Sequence, residues 1–82
     1  MNDKDWYWTP HIKDQMIERD IGANEVEAAL THPDEIVPGK DNRKIYQKMT
    51  RGKLLRVVTM ERRLLTVYLT GKFNKYLKGG GA

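Results

Sequence analysis

Three consecutive eight-residue runs in the second half of the chain constrain its fold more than any other feature. Residues 43–50, 53–60 and 63–70 are rich in β-branched, aromatic and alternating residues, and only Arg51-Gly52 and Glu61-Arg62 separate them. Strands joined by two-residue links must return beside one another, which predicts an antiparallel meander. Successive side chains in a strand point to opposite faces, so the last two runs sort themselves. Leu55, Val57 and Thr59, with Leu65, Val67 and Leu69, make a nearly aliphatic face suited to packing on helices. Leu54, Arg56, Val58 and Met60, with Leu64, Thr66, Tyr68 and Thr70, make a mixed face that could serve as a working surface. Glu35 to Val37 adds a short edge strand, for three to four antiparallel strands in all.

The first half reads as helical. Thr9-Pro10 pairs a capping residue with a proline at the first helical position, where its missing N–H costs nothing. Ile12, Met16 and Ile17 recur at helical spacing, Lys13, Asp14, Glu18 and Asp20 suit solvent, and this helix should end near Asp20. Asn24 and Glu27 have capping-box spacing, Val26, Ala29 and Leu30 give a short apolar face, and Pro33 stops the second helix after His32. Trp6, Tyr7 and Trp8 precede the first helix as a core lid or hydrophobic staple, with base stacking the weaker alternative. The expected fold is therefore α+β: two N-terminal helices on one face of a three- to four-stranded antiparallel sheet. Residues 1–78 form one domain in this reading. Phe73 to Leu77 could add a last half-turn, and 79–82 form a flexible Gly-rich tail.

With 82 residues there is room for one core and a thin stability margin. No cysteine is present, which excludes disulfides, thiolate metal ligands and thiol nucleophiles. Apolar stretches of four or five residues fall far short of the roughly 20 needed to span a bilayer, and no signal-peptide pattern opens the chain. A cytoplasmic protein without a membrane partner is expected. The net charge of +4 conceals an asymmetry: residues 1–42 carry four lysines and arginines against ten acids, residues 43–82 eleven against one. Such a basic segment is the footprint of a polyanion partner, because neutralising phosphates releases condensed counterions. The alternative is a solvated sheet whose cations guard its edges against aggregation.

Metal and nucleotide-hydrolysis motifs are absent. His11 and His32 are far apart in sequence, and Gly71-Lys72 lacks the rest of a phosphate loop. No metal or cofactor is expected. The remaining inventory is His11, several cations, Tyr46, Thr66 and Tyr68, and it suits metal-independent cleavage of RNA by its own 2′-hydroxyl. That reaction needs a base for the 2′-proton, an acid for the leaving 5′-oxygen and cations for the phosphorane. Histidine titrates near neutrality and can fill either proton-transfer role; His11 can equally be a surface residue beside a helix cap. Arg56 alternates onto the face of Thr66 and Tyr68, where it could hold phosphate while a hydroxyl donates a hydrogen bond, or be an ordinary strand arginine. His11, Gln15 and Arg19 repeat every four residues along one side of the first helix, edging a cleft or facing solvent.

These residues also carry a resemblance. His11-Ile12-Lys13-Asp14-Gln15-Met16-Ile17-Glu18-Arg19-Asp20-Ile21, Glu25-Val26-Glu27-Ala28-Ala29-Leu30 and Pro33-Asp34-Glu35-Ile36 resemble the pattern His-x-x-x-Arg-Met-x-Glu-Arg-Gly-Ile, Glu-Glu-Val and Pro-Asp-Glu-Ile. That pattern belongs to the domain of unknown function 4258 family, and the resemblance continues through Ile45-Tyr46, Leu55-Arg56-Val57-Val58 and Leu65-Thr66-Val67-Tyr68. Gln15 stands where the pattern has arginine, removing a possible phosphate contact, and Asp20 where it has glycine. The family is grouped with RelE-like toxins and the barnase, EndoU and colicin-type ribonuclease fold. That grouping implies two helices on an antiparallel sheet and metal-independent endoribonuclease activity in toxin-antitoxin or bacterial competition systems. Carried over by position, His11, Arg56, Thr66 and Tyr68 are catalytic candidates, and Arg19, Arg43, Tyr46, Lys72 and Lys75 RNA-binding candidates. RNA and a cognate antitoxin or immunity protein are the implied partners. Two alternatives remain: a non-catalytic module binding RNA or an acidic protein, and a toxin acting on a protein target.

Overall fold

A computed structural model describes residues 6–71. Strand β1 (Tyr7–Trp8) leads into helices α1 (Pro10–Glu18) and α2 (Ala23–Thr31). Strands β2 (Glu35–Pro38), β3 (Lys44–Thr50), β4 (Lys53–Met60) and β5 (Arg63–Thr70) follow, with a 3₁₀ turn at Lys40–Asn42 after β2. The sheet has five strands in the order β1-β5-β4-β3-β2, and β1 runs parallel to β5 while the other pairs are antiparallel. The expectation of a purely antiparallel sheet of three to four strands is thereby corrected. The extra strand is the Trp6-Tyr7-Trp8 segment: two residues pair with Arg63 and Leu64, and Trp6 and Trp8 pack on the core. Two residues are too few for a periodic signal, which is why alternation could not announce them.

Helix α1 begins as its sequence dictates. The Thr9 hydroxyl accepts from the Ile12 N–H at 3.2 Å and donates to the Leu64 carbonyl at 2.7 Å, so one side chain caps the helix and ties it to β5. At its other end the Ile21 N–H reaches the Met16 carbonyl at 2.9 Å and the Asp20 N–H the Ile17 carbonyl at 3.3 Å, with Asp20 at φ 55°. This is a Schellman motif, whose left-handed position favours glycine. The glycine in the family pattern at this place thus has a backbone cause.

Helix α2 starts earlier than the Asn24 cap expected. Gly22 is the cap, and the Glu25 carboxylate reaches back to accept its N–H at 2.9 Å. The Arg51 guanidinium, 2.9 Å from Glu25, also donates to the Asp20 carbonyl and so braces the turn between the helices.

Both helices cover one sheet face, α1 against β5 and α2 against β3 and β4. Ile12, Ile21, Val26, Ala29 and Leu30 meet Leu55, Val57, Leu64 and Val67, bordered by Trp8, Met16, Tyr46 and Leu69. Leu64 occupies the place expected of Leu65. A bulge beside Val58 and Thr59 pairs Thr59 with Leu64, which inverts the alternation at the start of β5. Fully burying such side chains contributes roughly 1.5–3 kcal/mol each, so this face dominates the stability. Both hairpin links are two-residue turns with positive φ throughout: Arg51 (55°) and Gly52 (75°), then Glu61 (50°) and Arg62 (71°). That is the type I′ geometry suited to the twist of paired strands. Among the described residues no helix is long and apolar enough to cross a membrane.

Candidate functional site

The sheet face turned away from the helices carries a polar row. Register places Glu35, Gln47, Arg56 and Tyr68 directly opposite one another across β2, β3, β4 and β5. Cross-strand neighbours on one face stand close enough to bond, and these do. Gln47 donates to the Glu35 carboxylate at 3.3 Å and accepts from the Arg56 Nε–H at 2.7 Å, while Arg56 Nη1 donates to the Tyr68 hydroxyl. The guanidinium carbon lies 5.7 Å from the Tyr68 ring centroid. Gln47 is fully buried and Arg56 only 8% exposed, so the alternative of an ordinary exposed strand arginine is overturned. A buried guanidinium requires such bonding, since leaving a buried polar group unpartnered costs about 1–3 kcal/mol or more.

This row fixes one hydroxyl group. The Tyr68 oxygen accepts from Arg56, so its own hydrogen is directed elsewhere and can be donated. Tyr68 is half-buried, more accessible than the arginine that holds it. Thr66, two residues back along β5 and also half-buried, bonds through its hydroxyl to the Gln15 side chain.

The α1 row runs along the same strand. Gln15 Oε1 also accepts from the Val67 N–H at 2.9 Å, and Arg19 Nη1 donates to the Val67 carbonyl at 3.1 Å. Two side chains one helical turn apart therefore satisfy the outward backbone groups of β5 where no strand pairs with it. Gln15 was expected as a lost phosphate contact and as part of a polar line edging a cleft or facing solvent, and it is buried instead. Its acceptor oxygen does what an arginine, which has donors alone, could not.

The structure thus joins Arg56 with Tyr68, Thr66 with Gln15, and Arg19 with the intervening Val67. His11 is exposed on the first turn of α1, and among the described residues no hydrogen bond or ion pair ties it to that group. Arg43 is engaged locally, donating to the Lys40 carbonyl and to Asp41, both at 3.3 Å. Tyr46 lies opposite Val57 on the helix-covered face, its ring 5.5 Å from that of Trp6. Lys72, Lys75, the Phe73 to Leu77 half-turn and the Gly-rich tail lie outside the described residues. Sequence reasoning passed over Gln47 and Glu35, although pairing the first two runs of the meander across Arg51-Gly52 already sets Gln47 opposite Arg56. Among the described residues no three histidines, cysteines, aspartates or glutamates converge as a metal site.

The fold and the row define a small α+β domain with two helices on a mixed five-stranded sheet, and a guanidinium-held tyrosine on the far face. A family model described as Domain of unknown function (DUF4258) matches residues 8–68, from β1 to Tyr68, and the chain belongs to that family. No curated protein and no solved structure matches it.

Proposed function

We propose that the chain is a metal-independent endoribonuclease of the RelE-like grouping, acting in the cytoplasm as the toxin of a toxin-antitoxin pair. The observation that carries this reading is the Tyr68 hydroxyl, held by the buried Arg56 guanidinium on a strand of the basic half. Tyr68 and Thr66 meet the scissile phosphate, with Arg56 as the residue that positions Tyr68, and Arg19 adds positive charge from the neighbouring helix edge. His11, one turn before Gln15 on the same helix row, takes the 2′-proton. The 2′-oxygen then bonds to phosphorus, the bond to the 5′-oxygen breaks, and that oxygen receives the proton of the Tyr68 hydroxyl. The substrate supplies the nucleophile, so the protein's task is charge stabilisation and proton transfer. An acidic antitoxin or immunity protein would cover the same basic strands.

The test is incubation of the purified chain with RNA in chelator, alongside His11→Ala and Arg56→Ala. Cleavage by wild type and its loss in both variants is the expected outcome. Intact RNA with wild type, or both variants cleaving as well as wild type, sinks the assignment. That no hydrogen bond ties His11 to the bonded group among the described residues favours a second reading, binding of RNA without cleavage. Salt-sensitive RNA binding with no product supports that one.

A further inference from the structure

A cavity opens beside β3 and the turn between β4 and β5, on the sheet face that carries Tyr46. Its volume is about 320 Å³, and Trp6, Tyr46, Lys44, Asn42, Glu61 and Arg62 line it. That is the small end of the range for ligand pockets, which begins near about 300 Å³. The Trp6 and Tyr46 rings meet edge to face at 85°, and the Arg62 guanidinium carbon lies 4.8 Å from the Trp6 centroid.

The backbone that presents these groups is held in uncommon conformations. Asn42 has φ 67°, Glu61 φ 50° and Arg62 φ 71°, none of them glycine. Of the two type I′ hairpin turns, one has glycine at its second position and the other has Arg62, the residue laid over Trp6. Non-glycine residues in the left-handed region concentrate where surrounding contacts, often functional ones, over-determine them. The Tyr7 N–H locks the turn further by donating to the Arg62 carbonyl at 2.7 Å.

We infer that this cavity binds one nucleotide of a single-stranded nucleic acid, with the base against Tyr46 and the Arg62 plane and the phosphate on Lys44. Four features converge on that ligand class. Aromatic and guanidinium planes stack on bases. Lys44, exposed at the start of β3, supplies a cation for phosphate. The Asn42 amide carries both a donor and acceptor, matching a base edge. The Glu61 carboxylate disfavours a bare anion and accepts from a ribose hydroxyl or base amino group. The inference deepens the RNA reading by giving a base its place, yet it requires no cleavage. It fails on the behaviour of Trp6, whereas the ribonuclease reading fails on intact RNA, and either can fail alone.

The test is titration of the full chain with adenosine 5′-monophosphate, followed through the Trp6 indole N–H and Tyr46 ring resonances. Adenosine alone and inorganic phosphate alone are the comparison arms. The nucleotide should move both sets of resonances and bind at least about tenfold tighter than either fragment, the effect of one charge-assisted hydrogen bond. Lys44→Ala should weaken binding about tenfold, and Lys53→Ala, outside the cavity, should not. Arg62→Gly suits the turn conformation, so it should fold with a native circular dichroism spectrum yet lose binding. Unmoved resonances at millimolar nucleotide overturn the inference. So does either fragment binding as well as the whole, or Arg62→Gly binding like wild type.

Discussion

Replacing Gln15 with methionine isolates the device that closes the β5 edge. Gln15 is 9% exposed, and its side-chain oxygen is the acceptor for the N–H of Val67, a fully buried residue. Methionine has similar length and flexibility, so it fills the volume without opening a large cavity, but it offers no comparable acceptor. A buried N–H left without a partner costs about 1–3 kcal/mol. The Thr66 hydroxyl also loses its contact, but it is half-exposed and can turn to water, adding little. The expected loss is therefore about 2 kcal/mol, which in a domain of this size lowers the melting temperature by roughly 8–16 °C. Thermal unfolding measures the total, and hydrogen exchange at the Val67 amide locates it. Gln15→Glu keeps an acceptor oxygen and should preserve Val67 protection even if its charge shifts overall stability. A Gln15→Met protein that melts within about 2 °C of wild type, with Val67 equally protected, would refute the reasoning.

Other substitutions probe separate parts of the account. Asp20→Gly relieves the left-handed position ending α1, offset by a more flexible unfolded chain, and should raise the melting temperature by a few degrees; a decrease in a thermal melt would contradict the Schellman assignment. Arg51→Ala removes the 2.9 Å pair with Glu25, whose side chains are 46% and 23% exposed. Its cost should stay near or below about 1 kcal/mol by urea unfolding and shrink in high salt. Tyr68→Phe keeps the ring over Arg56 and deletes the hydroxyl, so RNA cleavage should fall about a hundredfold or more while the circular dichroism spectrum stays native.

The elements that were legible in the sequence are those whose signal is periodic or stereochemical. Thr9-Pro10 marked the start of α1 because capping and the fixed proline φ act locally. The three β runs and their two-residue links defined the meander, and Arg56, Thr66 and Tyr68 fell on one parity as alternation required. Three features escaped for physical reasons. Strand β1 is shorter than any period, the bulge that brings Leu64 inward depends on how β4 and β5 pair, and the α2 cap rests on Glu25 bonding to a backbone N–H. The Gly22-Ala23-Asn24-Glu25 segment offers two overlapping cap solutions, and nearby packing of Ile21 and Val26 selects the earlier one. The burial of Arg56 was likewise invisible to alternation, which assigns faces but not depth. Gln15 and Glu35 owe their roles to partners 52 and 12 residues away, distances at which local patterns are silent, whereas the pairing of Gln47 with Arg56 across the Arg51-Gly52 turn was open to reading.

Attack by the RNA's own 2′-hydroxyl leaves a chemical signature on the product ends. RNA digested by the wild-type chain in chelator should carry 2′,3′-cyclic phosphate and 5′-hydroxyl termini, with Tyr68→Phe yielding almost none. Products bearing 3′-hydroxyl and 5′-phosphate ends would contradict the mechanism, and RNA that stays intact at every protein concentration would contradict the activity itself.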